Sequence, residues 1–445
     1  MRPIWSIVAV TALLVFAAPA SFAQQQRTES DDLPQLRKEL AELRSMLDSL
    51  KTAQDQSSFL VDDEMESLEE RLEKRFRDLE NKINSATRST APIVFNPRTT
   101  AFINFAARAD SRKVMDETGE NEISNRFFLR GIELDLRAPV DPYAEAVAIV
   151  SVENEAGKGF GIDAEEAYGL IKRLPLLDSA PLGMKMKIGR FRAPFGVNNR
   201  THLHDMPWIT RPIAVGKYLG TEHGDFFEGG FNPVGVDFDF FLPSPLPGST
   251  FEMNADVLTA GDLGLSEGSA GRQPAFLGHL NLSTDWNNEH LLTVGASAYS
   301  ERGLPSTQLY GVDLTYKWSP VEQRESHSVV FGAEAFFGKH SFQDSTSTTL
   351  TIMPHGWYAF LQYQLSYWLY LGTRYDWVQE PTVGGSTLQS AGFYATYYTT
   401  EFLRFRLGIE HRTGAGSAMD GLNTGLLEVN FVFGSHPAEP YWVNR

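Results

Sequence analysis

The chain has 445 residues, with 39 basic against 56 acidic side chains and a formal net charge of -17. That balance argues against a nucleic-acid backbone as the main partner, and the absence of cysteine removes thiol catalysis, cysteine metal sites and disulfide staples. The length suits either several globular domains or one large closed all-β domain.

At the N-terminus, Arg2 precedes an apolar run from Ile4 to Ala18, and Ser21-Phe22-Ala23 puts small residues at the cleavage positions. This predicts a secretory signal peptide over 1–23, since the run is shorter than the ~20 residues a spanning helix needs. From Leu33 to Ala86 glycine disappears, and Leu36, Leu40, Leu43, Leu47 and Leu50 step by four and three before the seam resumes at Val61. A narrow apolar seam among charged residues predicts a periplasmic coiled coil over 33–86. A lone amphipathic helix packed on the rest of the protein would use the same spacing. Residues 87–97, with Pro92 and Pro97, read as a linker.

After Pro97 the apolar period changes to two and stays there. Sixteen candidate strands run from Thr99–Arg108 to Thr424–Phe433, most of them long enough to cross a bilayer when tilted. In Thr307–Trp318, for example, Tyr310, Val312, Leu314, Tyr316 and Trp318 alternate with Gly311, Asp313, Thr315 and Lys317. Aromatics end the apolar faces, and the connections alternate between long and short. Backbone amides in hydrocarbon must all be paired, so an even number of such strands predicts closure. The fold expected is all-β: a 16-stranded antiparallel transmembrane β-barrel over 98–434, preceded by the N-terminal α-helical coiled coil. The last strand, with Leu427, Val429, Phe431 and Phe433 on one face, suits recognition by outer-membrane assembly machinery. The chain runs on from it as a C-terminal extension, 435–445.

The longest connection, 192–230, follows the fifth strand and is expected to fold inward as a constriction loop. It holds Arg192, Arg200, His202, His204, Asp205, Arg211, Lys217 and His223. An outward loop with ordinary surface charge would use the same residues. His202-Leu203-His204-Asp205 offers two imidazoles and a carboxylate to a metal, with a structural role as the alternative. The wall faces assigned to water carry Lys185, Lys187, Lys317, Arg137, Arg374, Arg404, Arg406 and Arg412. They also carry the acids Glu133, Asp135, Asp237, Asp239, Glu252, Asp256, Asp313, Asp376, Glu410 and Glu428. No serine elbow or paired catalytic histidine stands out, so no enzyme and no cofactor are expected.

Four segments, RFFLRGIELDLRAPVDPYAEAVA (126–148), MKMKIGRFRAPFG (184–196), HDMPWITRP (204–212) and LGTRYDW (371–377), resemble the phosphate-selective porin O and P family of Gram-negative outer membranes. The resemblance implies a sixteen-stranded, often trimeric barrel with inward loops and a lumen ladder of cations for anions such as phosphate. On that reading Lys185, Lys187, Arg192, Arg200, Arg211, Lys317, Arg374, Arg404, Arg406 and Arg412 line the pore and set anion selectivity. The function expected is a water-filled outer-membrane channel for passive diffusion of small hydrophilic solutes or ions. Its partners would be outer-membrane lipid, the solutes, and two further copies in a homotrimer joined through the barrel wall and the coiled coil. The alternative is an outer-membrane structural tether whose coiled coil contacts the cell wall or a periplasmic partner.

Overall fold

The computed structural model describes residues 97–115, 122, 126–155, 159–173, 180–220, 230–266, 273–414, 420–434 and 442–443. The expected signal peptide and coiled coil, all of the linker but Pro97, His223, and the tail apart from Trp442 and Val443 lie outside the described residues.

The described chain forms one sheet from β1 (Arg98–Asp110), β2 (Arg126–Pro139), β3 (Ala144–Glu155), β4 (Gly159–Ile171), β5 (Lys185–Arg190), β6 (Val234–Leu242), β7 (Ser249–Leu258), β8 (Ala275–Trp286), β9 (His290–Glu301), β10 (Ser306–Trp318), β11 (Ser328–Gln343), β12 (Thr349–Ile352), β13 (His355–Gln364), β14 (Leu369–Gln379), β15 (Thr387–Thr400), β16 (Leu403–Thr413) and β17 (Leu422–Gly434). Every pairing is antiparallel and, apart from β11 with β13, joins neighbours along the chain, and β1 also pairs with β17, from Thr100 opposite Gly434 to Asp110 opposite Thr424. The sheet therefore closes and leaves no edge. Both β12 and β13 pair with β11, at successive stretches, so they fill a single place in the wall, interrupted at Met353 and Pro354. The wall has sixteen places, as the alternation predicts. Among the described residues no helix is long and apolar enough to cross a membrane.

The burial pattern inverts that of a water-soluble protein. In β16, Leu407 and Ile409 are 60% and 64% exposed, whereas Arg406 and Glu410 are 1% and 3% exposed. Phe276, Val294, Val312, Leu361, Phe393 and Phe431 extend the exposed apolar belt around the barrel. Water would penalise such a surface, and hydrocarbon would not. Rings gather at its rims. Trp357 stands opposite Trp377 and 5.5 Å from the Tyr375 ring at one end. At the other, Trp286 stacks on His290 and Tyr316.

Two register shifts matter for the lumen. Between β1 and β2, Asn104 pairs with Gly131 and Phe105 with Leu129, so Arg130 is the extra residue of a bulge. Between β3 and β4, Ile149 pairs with Glu166 and Val150 with Ala164, so Glu165 is extra. A bulge breaks the strict in-out alternation, and here Arg130, Glu165 and Glu166 are all buried inside.

Candidate functional site

Within the connection expected over 192–230, the described residues 192–220 and 230 pack inside the barrel against its wall and, with Phe191 and Phe231, form the centre of the apolar core. Phe191, Phe195, Met206, Trp208, Ile209, Val215, Tyr218, Leu219 and Phe231 are each at most 3% exposed and pack against lumen-facing Tyr299, Phe336, Tyr358, Phe360, Tyr370 and Tyr394. Each side chain buried this fully contributes about 1.5–3 kcal/mol. At the base of the loop, Asn199 donates its amide to the carbonyls of Ala193 and Phe231, and its side-chain oxygen accepts from the Phe231 N–H. Glu334 of β11 accepts the N–H groups of Val197 and Asn198 at 2.9 and 2.7 Å. Gly196 has φ +62, and a Cβ there would lie 2.5 Å from the Glu334 carboxylate, so both backbone and space select glycine. Further on, Pro212 leads into α1 (Ile213–Tyr218), whose first N–H bonds Asp376 at 3.1 Å.

Four wall arginines hold the loop by its backbone. Arg404 donates to the carbonyl of His204, Arg406 to that of Trp208 at 2.8 Å, Arg130 to that of Ile209 at 2.6 Å, and Arg374 to that of Thr210 at 2.5 Å. Their charges are offset on the wall. Glu428 lies 2.8 Å from Arg130, 2.8 Å from Arg404 and 3.4 Å from Arg406. Arg374 pairs with Asp376 at 2.9 Å and Glu410 at 3.4 Å, and Glu410 also receives Arg412 at 2.9 Å. Thr210 and Tyr394 donate their hydroxyls to Glu410 as well. Irregular backbone at membrane depth is tolerated when protein satisfies its polar groups, and these guanidinium bonds do so.

The structure thus separates the expected lumen cations into two sets. Arg374, Arg404, Arg406 and Arg412 face inward but are buried and paired, as is Arg192, which meets Glu165 at 2.8 Å. Arg211 is wholly buried in the loop and donates to Asn198 at 3.3 Å. Lys185, Lys187, Lys317 and Arg200 remain partly or well exposed. Lys187 pairs with Asp237 at 3.4 Å, and Lys185 lies over the Phe241 ring. Arg200 is electrostatically coupled to Glu252 and Asp256 of β7, His279 of β8 and Asp313 of β10. Arg200 is thus an exposed loop cation whose field reaches the acidic residues of β7 and β10.

His202 and His204 come together with Glu133 of β2. Glu133 Oε2 is 3.1 Å from His202 Nδ1 and 3.3 Å from His204 Nδ1. Glu165 Oε2 is 3.3 Å from His202 Nδ1, and Glu166 Oε1 is 3.0 Å from His202 Nε2. Burial is the largest influence on His202 and, with Arg192, opposes its protonation; the Glu133 and Glu165 carboxylates outweigh both and raise its pKa well above the usual imidazole value. For His204, too, burial is opposed and outweighed by Asp205 and Glu133. Asp205, expected beside the histidines, stands 3.5 Å from His204 Nε2.

Sequence reading missed Arg130, Glu165 and Glu166, because period two cannot reveal a bulge. It also missed Trp442. From the tail, this residue donates its indole N–H to the Asp205 carbonyl at 2.8 Å, and its own carbonyl accepts from Gln362 of β13 at 2.7 Å.

No protein-family model matches the chain. An "Uncharacterized protein" of Aquifex aeolicus (strain VF5) is 25% identical over 360 residues, covering 73% of this chain and 72% of that protein. Among solved structures, the chain is similar to the outer membrane channel DcaP of Acinetobacter baumannii, with TM-score 0.48 and 10% identity over 76% of this chain and 97% of that one. It is similar also to an anion-selective porin from Comamonas acidovorans, with TM-score 0.46 and 10% identity over 76% and 99%. Likeness at this level concerns barrel outline and bears on neither solute nor mechanism.

Proposed function

We propose that the protein is an outer-membrane porin: a passive channel for small hydrophilic solutes or ions, narrowed by its own loop. One observation carries this reading. A closed barrel with an apolar outside holds its longest connection inside the lumen by four wall arginines. A lipid-facing wall around a charged interior is the arrangement a membrane channel requires.

The water path in this reading runs along β4–β10, past exposed Lys185 and half-buried Lys187, Asp239, Glu252 and Lys317, with Arg200 on the loop side. Its signs are mixed. The anion preference implied by the likeness to phosphate-selective porins rests mainly on Lys185 and Arg200, because Lys187 pairs with Asp237 and Arg374, Arg404, Arg406 and Arg412 already have internal partners. We infer weak selectivity and small conductance rather than a phosphate ladder.

Purified protein in planar bilayers under a potassium chloride gradient tests this. Stepwise conductance with a near-neutral reversal potential supports the proposal, and a membrane that stays silent under applied voltage overturns it. Added phosphate that blocks chloride current would restore the anion ladder. Association of three barrels through the wall and residues 33–86 belongs to the same proposal, and deleting 33–86 before a mild gel separates the two interfaces.

A further inference from the structure

We propose that Glu133, His202 and His204 form a binding site for a divalent transition-metal ion, of which zinc fits best, and that the ion ties the lumen loop to the barrel wall. Each of the three side chains offers a ligand atom within 4.8 Å of the other two, and Glu133 Oε2 faces both His202 Nδ1 and His204 Nδ1.

The spacing suits a tetrahedral ion. With metal–ligand bonds of about 2.0–2.1 Å, tetrahedral ligand atoms lie roughly 3.3 Å apart. Glu133 Oε2 stands 3.1 and 3.3 Å from the two ring nitrogens. Two imidazoles and one carboxylate also match zinc better than calcium or magnesium, which favour oxygen.

The surroundings continue the pattern. A metal-bound histidine commonly turns its other nitrogen to a carboxylate, which fixes the ring. Here the far nitrogen of His202 meets Glu166 Oε1 at 3.0 Å, and that of His204 faces Asp205 Oδ2 at 3.5 Å. His204 is 5% exposed and its Nε2 makes no hydrogen bond. Beside Glu133 and His204 lies a cavity of about 30 Å³, also lined by Glu153, Glu165 and Asn104. Asn104 is 4% exposed and its Oδ1 has no hydrogen-bond partner. A site of that size and polarity accommodates a water, which would complete the coordination.

Charge points the same way. Glu133, Glu165, Glu166 and Asp205 surround the two rings, and Arg192 is the cation among them, its Nη2 2.8 Å from Glu165 and 3.3 Å from His202 Nδ1. With both imidazoles neutral as ligands, four carboxylates against one guanidinium leave a negative excess of three, of which one divalent cation offsets two in a volume largely closed to water. Because His202 and His204 belong to the loop and Glu133 to β2, the ion would join elements that the wall arginines clamp elsewhere. The site stands whether or not the lumen conducts.

The test uses the full chain folded in detergent, stripped with a chelator, given zinc and passed through gel filtration before metal analysis. One zinc per chain is expected, as are the visible ligand-field bands of four-coordinate cobalt on substitution. Glu133→Gln and His204→Ala should each weaken zinc affinity at least ~10-fold, with heat-modifiable gel migration confirming the barrel. Where His202→Ala disturbs folding, His202→Cys keeps a zinc ligand and should retain the ion with altered cobalt bands. Zinc lost on filtration, or affinity equal in parent, Glu133→Gln and His204→Ala, overturns the proposal and leaves protons as the counter-charge.

Discussion

Replacing Glu428 by Gln keeps the shape of the side chain and removes one charge at the point where three loop clamps converge. The parent carboxylate is wholly buried and lies within 3.4 Å of Arg130, Arg404 and Arg406, which hold the carbonyls of Ile209, His204 and Trp208. Without it, three guanidiniums crowd together with no shared counter-charge. Removing one partner of a buried ion pair costs about 3–5 kcal/mol, and the convergence of three cations puts Glu428→Gln at the upper part of that range. Guanidinium unfolding in phospholipid vesicles, followed by tryptophan fluorescence, measures the loss. Single-channel recording should show larger, noisier steps as the loop loosens. Adding Arg406→Met to Glu428→Gln removes one unbalanced cation and should recover part of the stability. A Glu428→Gln protein within about 0.5 kcal/mol of the parent, with unchanged conductance, would refute the clamp.

Other perturbations separate the roles of the remaining residues. Arg200→Glu should shift the reversal potential toward cations with little change in stability, because Arg200 is exposed; Arg211→Glu should impair folding, because Arg211 is wholly buried. Gel migration and reversal potentials distinguish the two. Gly196→Ala forces a left-handed backbone onto a residue with a Cβ and drives it against Glu334, with an expected loss of at least ~1 kcal/mol in the same unfolding assay. Leu407→Arg places a charge on the lipid face and should cost about 2–4 kcal/mol if the residue sits near the bilayer midplane; no loss there would argue against the membrane reading. Trp442→Ala removes the bond to Asp205 and should raise conductance measurably without unfolding the barrel.

Period two made the wall legible. In β16 each residue from Leu403 to Arg412 lies on the side the alternation assigns, whereas length and place after the fifth strand left the connection 192–230 open to an inward or an outward path. The partners inside the lumen were not legible. Arg404 and Arg406 read as open cations because the sequence shows only which face they occupy, and not that the carbonyls of His204 and Trp208 occupy the space before them. The meeting of Glu133 with His202 and His204 depends on strand register and on the path of the loop. Glu165 and Glu166 could face inward together only through a bulge, which no local spacing announces.

The loop that fills the lumen also constrains how the chain can assemble. Its carbonyls at His204, Trp208 and Thr210 bond arginines 164 to 200 residues further along the chain. Before β14 and β16 are threaded, those carbonyls have no such partners, and the apolar loop side chains lack the rings of Tyr370 and Tyr394. Loop docking and the final seam between β1 and β17 are therefore expected to be coupled late events, on a chain whose contacts are long-range. The loop behaves as a mandrel on which the last strands close, so a fault in it would first be seen as stalled biogenesis in the cell envelope.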